Sequence, residues 1–428
     1  MCRRSIFIIS CFYIQIFYAQ LSFQGYPAMA LSNQQIQLKV DSAENSFDMI
    51  KIPFSSFDIQ TSSNPGFNSF VSQSNHEFIL NLDHYKNNVN TYSHHLLDFY
   101  NSFFEYKRKR KSVVHSYGLE HRLFAELLLS NEFVSLIVEG NYPHLNEEIN
   151  LNNNYMRVFN YVSFFYGFSK TLNENWLFGS KLNLIKGVGS IGLENRHMSL
   201  LFSDNFNTNQ NPFSTVLDGD IQYYQNSSYS FFSNLGFSID FNIAHKLNSH
   251  YSIYTNVSEL GCIFWREDQY SSSGYFDFDG IDYSLDQDLI TEFNYLYDTI
   301  VDVFDIIQNN DTRSVRILPF SIDVGIQGTY TNINQVGINY NLQKLYNSVL
   351  HTGSVSYIHV LENMNLSIMP IYSFNKFNYM NFSVFVNKKW GNKIYSNFYL
   401  QNMLGLFDTK ALDITKSFGF GSELLLFF

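Results

Sequence analysis

The chain has 428 residues, of which 45% are hydrophobic, 18% aromatic and only 15% charged, and its formal net charge is −11. Typical soluble domains contain about 25% charged residues, and a chain this acidic is not expected to bind nucleic acid in general. After the N-terminus no run of about 18 apolar residues occurs, which argues against membrane-spanning helices.

The N-terminus has the pattern of an export signal. A basic start is followed by an apolar stretch at residues 6–18 and by the small residue Ala19. This order predicts a signal peptide over residues 1–19 that is cleaved after Ala19; the alternative is a short buried strand or helix. Two of the three cysteines leave with this segment. The remaining Cys262 makes neither an intramolecular disulfide nor a cysteine-based zinc site.

Residues 20–70 contain turn formers, including Pro27, Pro53 and Pro65, between short apolar pieces. We expect this part to fold as an N-terminal hatch-like segment inside the lumen of a barrel formed by residues 71–428. The one strong basic run, residues 107–111, follows an aromatic stretch at 99–104. A solvated loop is one interpretation, contact with anionic lipid phosphates is another, and contact with nucleic acid is the weakest.

From Tyr161 onward apolar and polar residues alternate strictly. Segments of about ten residues at 231–243, 320–330, 336–343 and 380–386 carry large apolar residues at one parity and Asn, Ser, Gly or Thr at the other. This length matches a tilted transmembrane strand. An ordinary antiparallel sandwich is the alternative, but the small polar residues of the second face suit a crowded lumen better.

Short polar turns alternate with longer connections, as in outer-membrane barrels. The turns fall at 170–175, 246–250, 331–334, 361–365 and 387–392. Trp176, Tyr251 and Trp390 lie at or beside them, where an interfacial aromatic girdle is expected.

Strand counting predicts an all-β fold, an antiparallel transmembrane β-barrel of about 14 strands. Eleven strands follow from Tyr161, if segments 191–203 and 215–226 form an extracellular hairpin extension. Stretches near 76–84, 112–118 and 119–125 supply the other three. A helical periodicity at 285–310 predicts a short helix in a long extracellular loop.

Residues 167–191, GFSKTLNENWLFGSKLNLIKGVGSI, contain a polar tight turn, then Gly179 and Lys181, then Gly187 and Gly189. This hairpin resembles one in long-chain fatty-acid transporter (FadL-like) barrels and in a related uncharacterised outer-membrane barrel family. Residues 27–31 and 136–141 resemble that family as well. The resemblance implies a barrel fold and says little about cargo.

The chain finishes on SFGFGSELLLFF. Leu424, Leu426 and Phe428 share the apolar parity that we expect to face lipid, whereas Glu423 shares the lumen parity with two glycines. Outer-membrane barrels resemble one another in such a terminal aromatic strand, so these three residues are the predicted assembly signal for the barrel-insertion machinery.

Few motifs suggest chemistry. Residues 187–192 match G-x-G-x-x-G, but no helix is expected to follow, as a dinucleotide site requires. The acidic loop around 277–288 lacks the order of a calcium loop, and a solvated loop is the preferred interpretation. His94 and His95 lack metal-site spacing. We therefore expect no enzyme activity, no metal and no cofactor.

The predicted function is passage of hydrophobic or small solutes across the bacterial outer membrane. The lumen-facing candidates are aromatic: Tyr161, Phe165, Phe232 and Tyr254. The expected partners are outer-membrane lipid, the insertion machinery and a hydrophobic small molecule, without nucleic acid. One alternative is a non-transporting barrel that acts as a scaffold in cell-surface assembly or secretion, and another is a secreted soluble β protein.

Overall fold

The computed structural model describes residues 46–53, 56–66, 71–74, 77–173, 175–204, 213–226, 232–278, 306–331, 334–375, 381–391, 393–401 and 417–428. The strands are β1 Ser46–Lys51, β2 Ser56–Asn64, β3 Val71–Ser74, β4 Glu77–Leu80, β5 Tyr92–Arg110, β6 Val113–Ser130, β7 Glu148–Asn150, β8 Tyr155–Asn173, β9 Trp176–Asp204, β10 Phe213–Asn226, β11 Leu235–Lys246, β12 Tyr251–Phe278, β13 Ile306–Ile317, β14 Phe320–Thr331, β15 Asn334–Lys344, β16 Val349–Leu361, β17 Leu366–Asn375, β18 Asn381–Trp390, β19 Ile394–Gln401 and β20 Ser417–Phe427. The helices are α1 Leu82–Asn88 and α2 Asn131–Glu139, with short 3-10 turns at Tyr142–His144 and Glu362–Met364.

All strands except the β3–β4 hairpin belong to one antiparallel sheet that closes on itself. β20 pairs with β1 and β2, and both of these pair with β5, so no edge of the sheet is left open. Four positions are each filled by two consecutive segments: β1 with β2, β7 with β8, β10 with β11, and β13 with β14. The barrel therefore has 14 strand positions, and the predicted fold class is confirmed.

Burial along the strands is inverted relative to a soluble sheet. In β14 the inward residues Ser321, Asp323 and Gln327 are buried, whereas Val324 and Ile326 are exposed. The same order holds in β15, where asparagines are inward and aliphatic or aromatic residues outward. Such a pattern is typical of barrels whose outer face meets lipid. The period-2 alternation of the sequence thus selects which face becomes the lumen.

The two ends of the barrel differ. At one end, the short-turn end, adjacent strands are joined at 111–112, 174–175, 247–250, 332–333, 362–365 and 391–393. At the opposite, long-loop end the connections are mostly longer, and β9 and β12 reach 29 and 28 residues. β10 pairs with the far halves of both, so the predicted hairpin extension of 191–203 with 215–226 is confirmed.

The N-terminal third corrects several sequence predictions. β1 and β2 lie in the barrel wall between β20 and β5, so the lumen-segment prediction for 20–70 is wrong for residues 46–51 and 56–64. Residues 1–45 lie outside the described part of the chain. The stretches 112–118 and 119–125 belong to the single strand β6, and 76–84 spans β4 and the start of α1 rather than a barrel strand. The basic run 107–111 ends β5 instead of forming a free loop.

The helices are short and lie at the long-loop end. The Ser130 side chain accepts a hydrogen bond from the Phe133 amide at 3.1 Å and so caps α2, which ends at Gly140 in the left-handed region. Lys86 of α1 and Glu139 of α2 form a 2.6 Å ion pair that joins the two helices. In the described ranges, no helix has the length and apolar character needed to cross a membrane. The helix predicted at 285–310 falls outside the described residues up to 305, and from Ile306 the chain is strand.

Candidate functional site in the barrel lumen

A layer of buried apolar side chains crosses the lumen toward the long-loop end. Its members come from both walls: Leu96, Phe124, Phe159, Tyr161, Ile185, Ile263, Trp265, Leu318, Leu345 and Leu350. We call this set the apolar layer. Phe159 and Trp265 stack in it with ring centroids 6.4 Å apart and an interplanar angle of 21°. All ten side chains are at most 2% exposed, so apolar packing occupies the lumen at this level of the described barrel.

The β15–β16 turn, residues 345–348, folds into the lumen and reaches the opposite wall. The Tyr346 amide donates to Glu126 Oε2 at 2.9 Å, and the Ser348 hydroxyl donates to Glu126 Oε1 at 3.4 Å. Glu126 lies on β6, six positions away in a barrel of 14. The turn therefore bridges the full width of the lumen, and we call it the closing turn.

Arg157 of β8 holds the aromatic ring of the closing turn. Its guanidinium carbon lies 4.7 Å from the centre of the Tyr346 ring and 4.6 Å from that of Tyr224. Arg157 Nη2 donates to the Tyr346 hydroxyl at 3.3 Å, and that hydroxyl donates to Glu194. A guanidinium between two rings is favourable because the ring faces are negative, so the turn is fastened by one charge-assisted cluster.

Two glycines of β9 make room for these side chains. A Cβ at Gly187 would lie 2.5 Å from Cη2 of Trp265, and one at Gly192 would collide with the Arg157 guanidinium. The G-x-G-x-x-G match at 187–192 therefore lies within a strand, where two of its glycines allow the lumen to be filled.

Below the apolar layer, toward the short-turn end, a second cluster crosses the lumen. Arg122 of β6 binds Asp98 through two hydrogen bonds of 2.7 and 2.6 Å, and it also pairs with Glu259 of β12. Tyr161 donates to Glu259 at 2.9 Å. Glu259 has φ +61° and lies at a β-bulge, which turns its side chain inward.

A polar cavity of about 240 Å³ opens below this cluster. Lys51 bridges Glu105 and Glu423 at 2.9 and 2.7 Å, while Lys181 bridges Glu120 and Asp240 at 2.8 and 3.3 Å. Both signs of charge line the cavity, together with serine and asparagine side chains and a few apolar residues such as Val114 and Phe241. Such a lining suits a small hydrated or polar solute better than an apolar one.

The aromatic residues predicted to face the lumen are placed unequally. Tyr161, Phe165 and Tyr254 are buried on the inner face of β8 and β12. They pack against the wall: the Lys181 ammonium lies 4.5 Å from the centre of the Phe165 ring, and Tyr254 covers Gly325. Phe232 is 81% exposed in the turn before β11, so it takes no part in the buried packing of the lumen, and its lumen role stays a prediction.

The predicted girdle residues lie at the short-turn end. Trp176, Tyr251 and Trp390 are 41%, 46% and 55% exposed, and Trp176 stacks on His245 with centroids 4.0 Å apart. In β20, Leu424 and Leu426 are on the outward parity, Glu423 is buried in the lumen, and Phe428 is exposed. A role of these residues in assembly stays a prediction.

The histidines take part in local hydrogen bonds. His94 lies 2.9 Å from Glu126, and His95 lies 2.8 Å from the Tyr85 hydroxyl. Among the residues that the structure describes, no three metal-ligating side chains come together. The acidic loop around 277–288 lies outside the described residues beyond 278.

Sequence reasoning missed the residues that close the lumen. Glu126 and Arg157 are charged residues at buried, inward positions of β6 and β8, which is a usable signal for a cross-lumen contact. Tyr346 gives no comparable signal, because its turn looks like any short polar connection in the sequence.

Residues 43–400 match the model of a family described as "Family of unknown function (DUF5723)". No curated protein matches the chain. Similar solved structures include the toluene transporter TbuX of Ralstonia pickettii, with 8% identity, 90% of this chain and 89% of that chain covered, and a TM-score of 0.41. They also include the toluene transporter TodX of Pseudomonas putida (7%, 91% and 89%, 0.40) and a FadL homologue of Pseudomonas aeruginosa (8%, 90% and 90%, 0.40).

The family match covers most of the chain, including the hairpin at 167–191 and every strand from β1 to β18. The resemblance to an uncharacterised family that this hairpin indicated is confirmed. The protein is thus a member of the family of unknown function DUF5723, with the fold of a closed 14-strand β-barrel.

Proposed function

We propose that the protein is an outer-membrane barrel that admits small solutes, and that the closing turn obstructs its lumen in the conformation described. The inverted burial of the strands supports a membrane location, since exposed aliphatic and aromatic side chains would be costly in water. The N-terminal export pattern supports a bacterial outer membrane over any other membrane.

The proposal that solutes pass through the barrel depends on the closing turn. It is a four-residue connection at a strand end, and its cross-lumen contacts are side-chain contacts and one backbone hydrogen bond rather than strand pairing. Withdrawing the turn leaves the 14 strand positions paired as before. A lumen that is closed by a removable segment is what a gated passage requires.

The lining of the cavity bears on the class of solute. Ion pairs and serine or asparagine side chains make up much of the lining of the 240 Å³ space, so a small polar solute finds hydrogen-bond partners there. A hydrophobic solute that crossed the lumen would have to displace the apolar layer. We therefore favour the small-solute form of the prediction.

A scaffold without transport is the second candidate, and the filled lumen favours it. Besides the apolar layer, a second cluster of buried side chains packs on the inner face of β16–β19: Ile358, Met369, Ile371, Phe385 and Tyr399. A barrel whose interior serves only as a core needs no removable segment.

Conductance in planar bilayers separates the two candidates. The double variant Leu345→Ala/Tyr346→Ala removes the two side chains by which the closing turn fills the lumen. Tyr340→Ala/Leu342→Ala removes the same side-chain types from outward positions of the same hairpin and serves as the matched control. Passage predicts a several-fold higher conductance for the first variant alone. Equal conductance of both variants and the wild type would favour the scaffold.

Location is tested separately. The protein should be recovered with outer membranes and released by detergent, and an unboiled sample should migrate differently on a gel from a boiled one, because a closed barrel resists detergent. Recovery in the soluble periplasm without detergent would contradict the membrane location.

A further inference from the structure

Alternate residues of the basic run at the end of β5 lie on the outer surface of the barrel, at the short-turn end, whereas Lys107 and Lys109 are on the inward parity. Arg108 and Arg110 point outward, with about half of each side chain exposed. Cross-strand pairing places Arg110 in one row with Lys170 of β8, through Val113 of β6, and Lys170 is exposed too. Two strands therefore bring three cations to one rim of the barrel.

The cations give way to aromatic and apolar residues away from this rim, although Val113 and Phe168 already lie in the first two rows. Two residues further along each strand Arg108 lies beside His115, and the following row holds Tyr117 and Tyr166. The next row holds Leu119 and Phe164, which are 37% and 56% exposed. Successive rows on one face are about 7 Å apart. From the rim inward, the exposed groups are first cationic, then phenolic and then apolar. A bilayer presents its phosphates, interfacial region and acyl chains in the same order and at a similar spacing.

The tyrosine row is held in place by its own contacts. The rings of Tyr117 and Tyr166 have centroids 5.2 Å apart, and the Tyr166 hydroxyl lies 2.9 Å from Nδ1 of His115. These contacts hold the two rings next to the cations, where amphipathic side chains are expected at a membrane interface.

The local charge stays positive after its internal ion pairs are considered. Asp48 of β1 binds Arg108 at 2.9 Å and Arg110 at 3.5 Å, so one carboxylate is shared by two guanidinium groups. Lys170 and the exposed Lys111 at the β5–β6 turn add to this excess. Guanidinium groups also match the oxygens of a phosphate in pairs.

We propose that this interfacial patch, formed by Arg108, Arg110, Lys170, Tyr117 and Tyr166, binds the phosphate of an anionic phospholipid in the leaflet at the short-turn end. The proposal rests on the membrane location proposed above. It assigns the basic run a partner of stated chemistry, a lipid that stays bound to the barrel wall and is independent of any solute in the lumen.

The test measures which lipids stay with the purified barrel. Protein in neutral detergent is mixed with equal amounts of phosphatidylglycerol and phosphatidylcholine, separated from free lipid, and analysed for the ratio of the two retained lipids. The wild type should retain phosphatidylglycerol preferentially, and added salt should reduce the preference.

The variant Arg110→Gln/Lys170→Gln removes two charges and leaves Arg108 to neutralise Asp48. Each basic residue near an anionic surface contributes roughly a five-fold preference, so the double variant should lose about 25-fold in relative affinity. Arg266→Gln/Arg313→Gln is the matched control, because it removes two exposed, outward, paired arginines toward the opposite end of the barrel. It should keep the wild-type ratio.

Three results would overturn the proposal: equal retention of both lipids by the wild type, an unchanged ratio in the double variant, or an equal loss in the control. Competition by inorganic phosphate at millimolar concentration would also count against a lipid-specific site. The gel-mobility difference between boiled and unboiled samples checks that each variant is folded. Soluble recovery of the wild type would refute the membrane location and this proposal together, whereas a membrane-bound barrel without lipid preference would refute this proposal alone.

Discussion

Replacing Glu126 by alanine should open the lumen, because this buried carboxylate is the main anchor of the closing turn. Its oxygens accept hydrogen bonds from the Tyr346 amide at 2.9 Å and from the Tyr155 hydroxyl at 2.6 Å. In Glu126→Ala these two buried donors lose their acceptor. The Tyr155 hydroxyl belongs to the wall strand β8 and loses its acceptor in the open barrel as well. Only the loss at the Tyr346 amide, about 1–3 kcal/mol, therefore destabilises the closed arrangement relative to the open one.

Even the lower figure has a large effect on the open fraction. A tenfold change in an equilibrium corresponds to about 1.4 kcal/mol, so about 1 kcal/mol raises the ratio of open to closed barrels about five-fold. The open probability of single channels in planar bilayers measures this ratio directly. Glu126→Gln should have a much smaller effect, because an amide oxygen can accept from the Tyr346 amide while the amide nitrogen donates to the Tyr155 hydroxyl.

Glu120→Ala is the matched control for this experiment. Glu120 is another inward carboxylate of β6, and it accepts from Tyr100 at 2.5 Å and from Lys181 at 2.8 Å, with no contact to the closing turn. The reasoning is refuted if Glu126→Ala conducts like the wild type, if Glu126→Gln opens as much as Glu126→Ala, or if the control opens equally.

Three further predictions concern stability, assembly and export. Gly187→Val should lower the temperature at which the folded, unboiled gel band converts to the unfolded one, because overpacking against Trp265 costs about 1–3 kcal/mol. Gly189→Val is its control, since a Cβ there has only Asn160 within 4 Å, at 3.8 Å. An equal shift in both variants would argue against a steric cause. Deleting Phe428 should reduce the amount of barrel in the membrane while removing only about 2 kcal/mol of burial; wild-type levels would exclude an assembly role. N-terminal sequencing of the exported protein should begin at Gln20, and a chain that retains Met1 would contradict cleavage after Ala19.

The strand pattern was predictable because a barrel wall depends on local alternation. The segments at 320–330 and 336–343 form β14 and β15 with the predicted faces inward and outward. The first strand position was missed because β1 and β2 are separated by a break at 52–55 that contains Pro53, and polar residues such as Asp58 and Gln60 fill the inward face of β2. In segments that are short, polar and interrupted, the alternation of apolar and polar residues is too weak to distinguish a wall strand from a loop that folds into the lumen.

The contacts across the lumen were not predictable, because alternation states which face a residue occupies but not which opposite residue it meets. Tyr346 and Glu126 are 220 residues apart in the chain. They meet only because the closed sheet places β15 and β6 on opposite walls. The strand number has to be known before any such pair can be proposed, and the sequence gives that number only approximately.

Three bulges make the alternation itself misleading at the places that matter most. At Phe103, Val188 and Glu259 one strand gains a residue relative to its neighbour, and the inward parity changes from even to odd or the reverse. Gly187 and Gly192 therefore both face the lumen although their numbers differ in parity. A bulge bends and re-aims the strand that carries it. The bulge in β9 places Gly187 and Gly192, which leave room for Trp265 and Arg157, on the same inner face. The filled lumen therefore depends on an interruption of the same period-2 alternation from which the barrel was predicted.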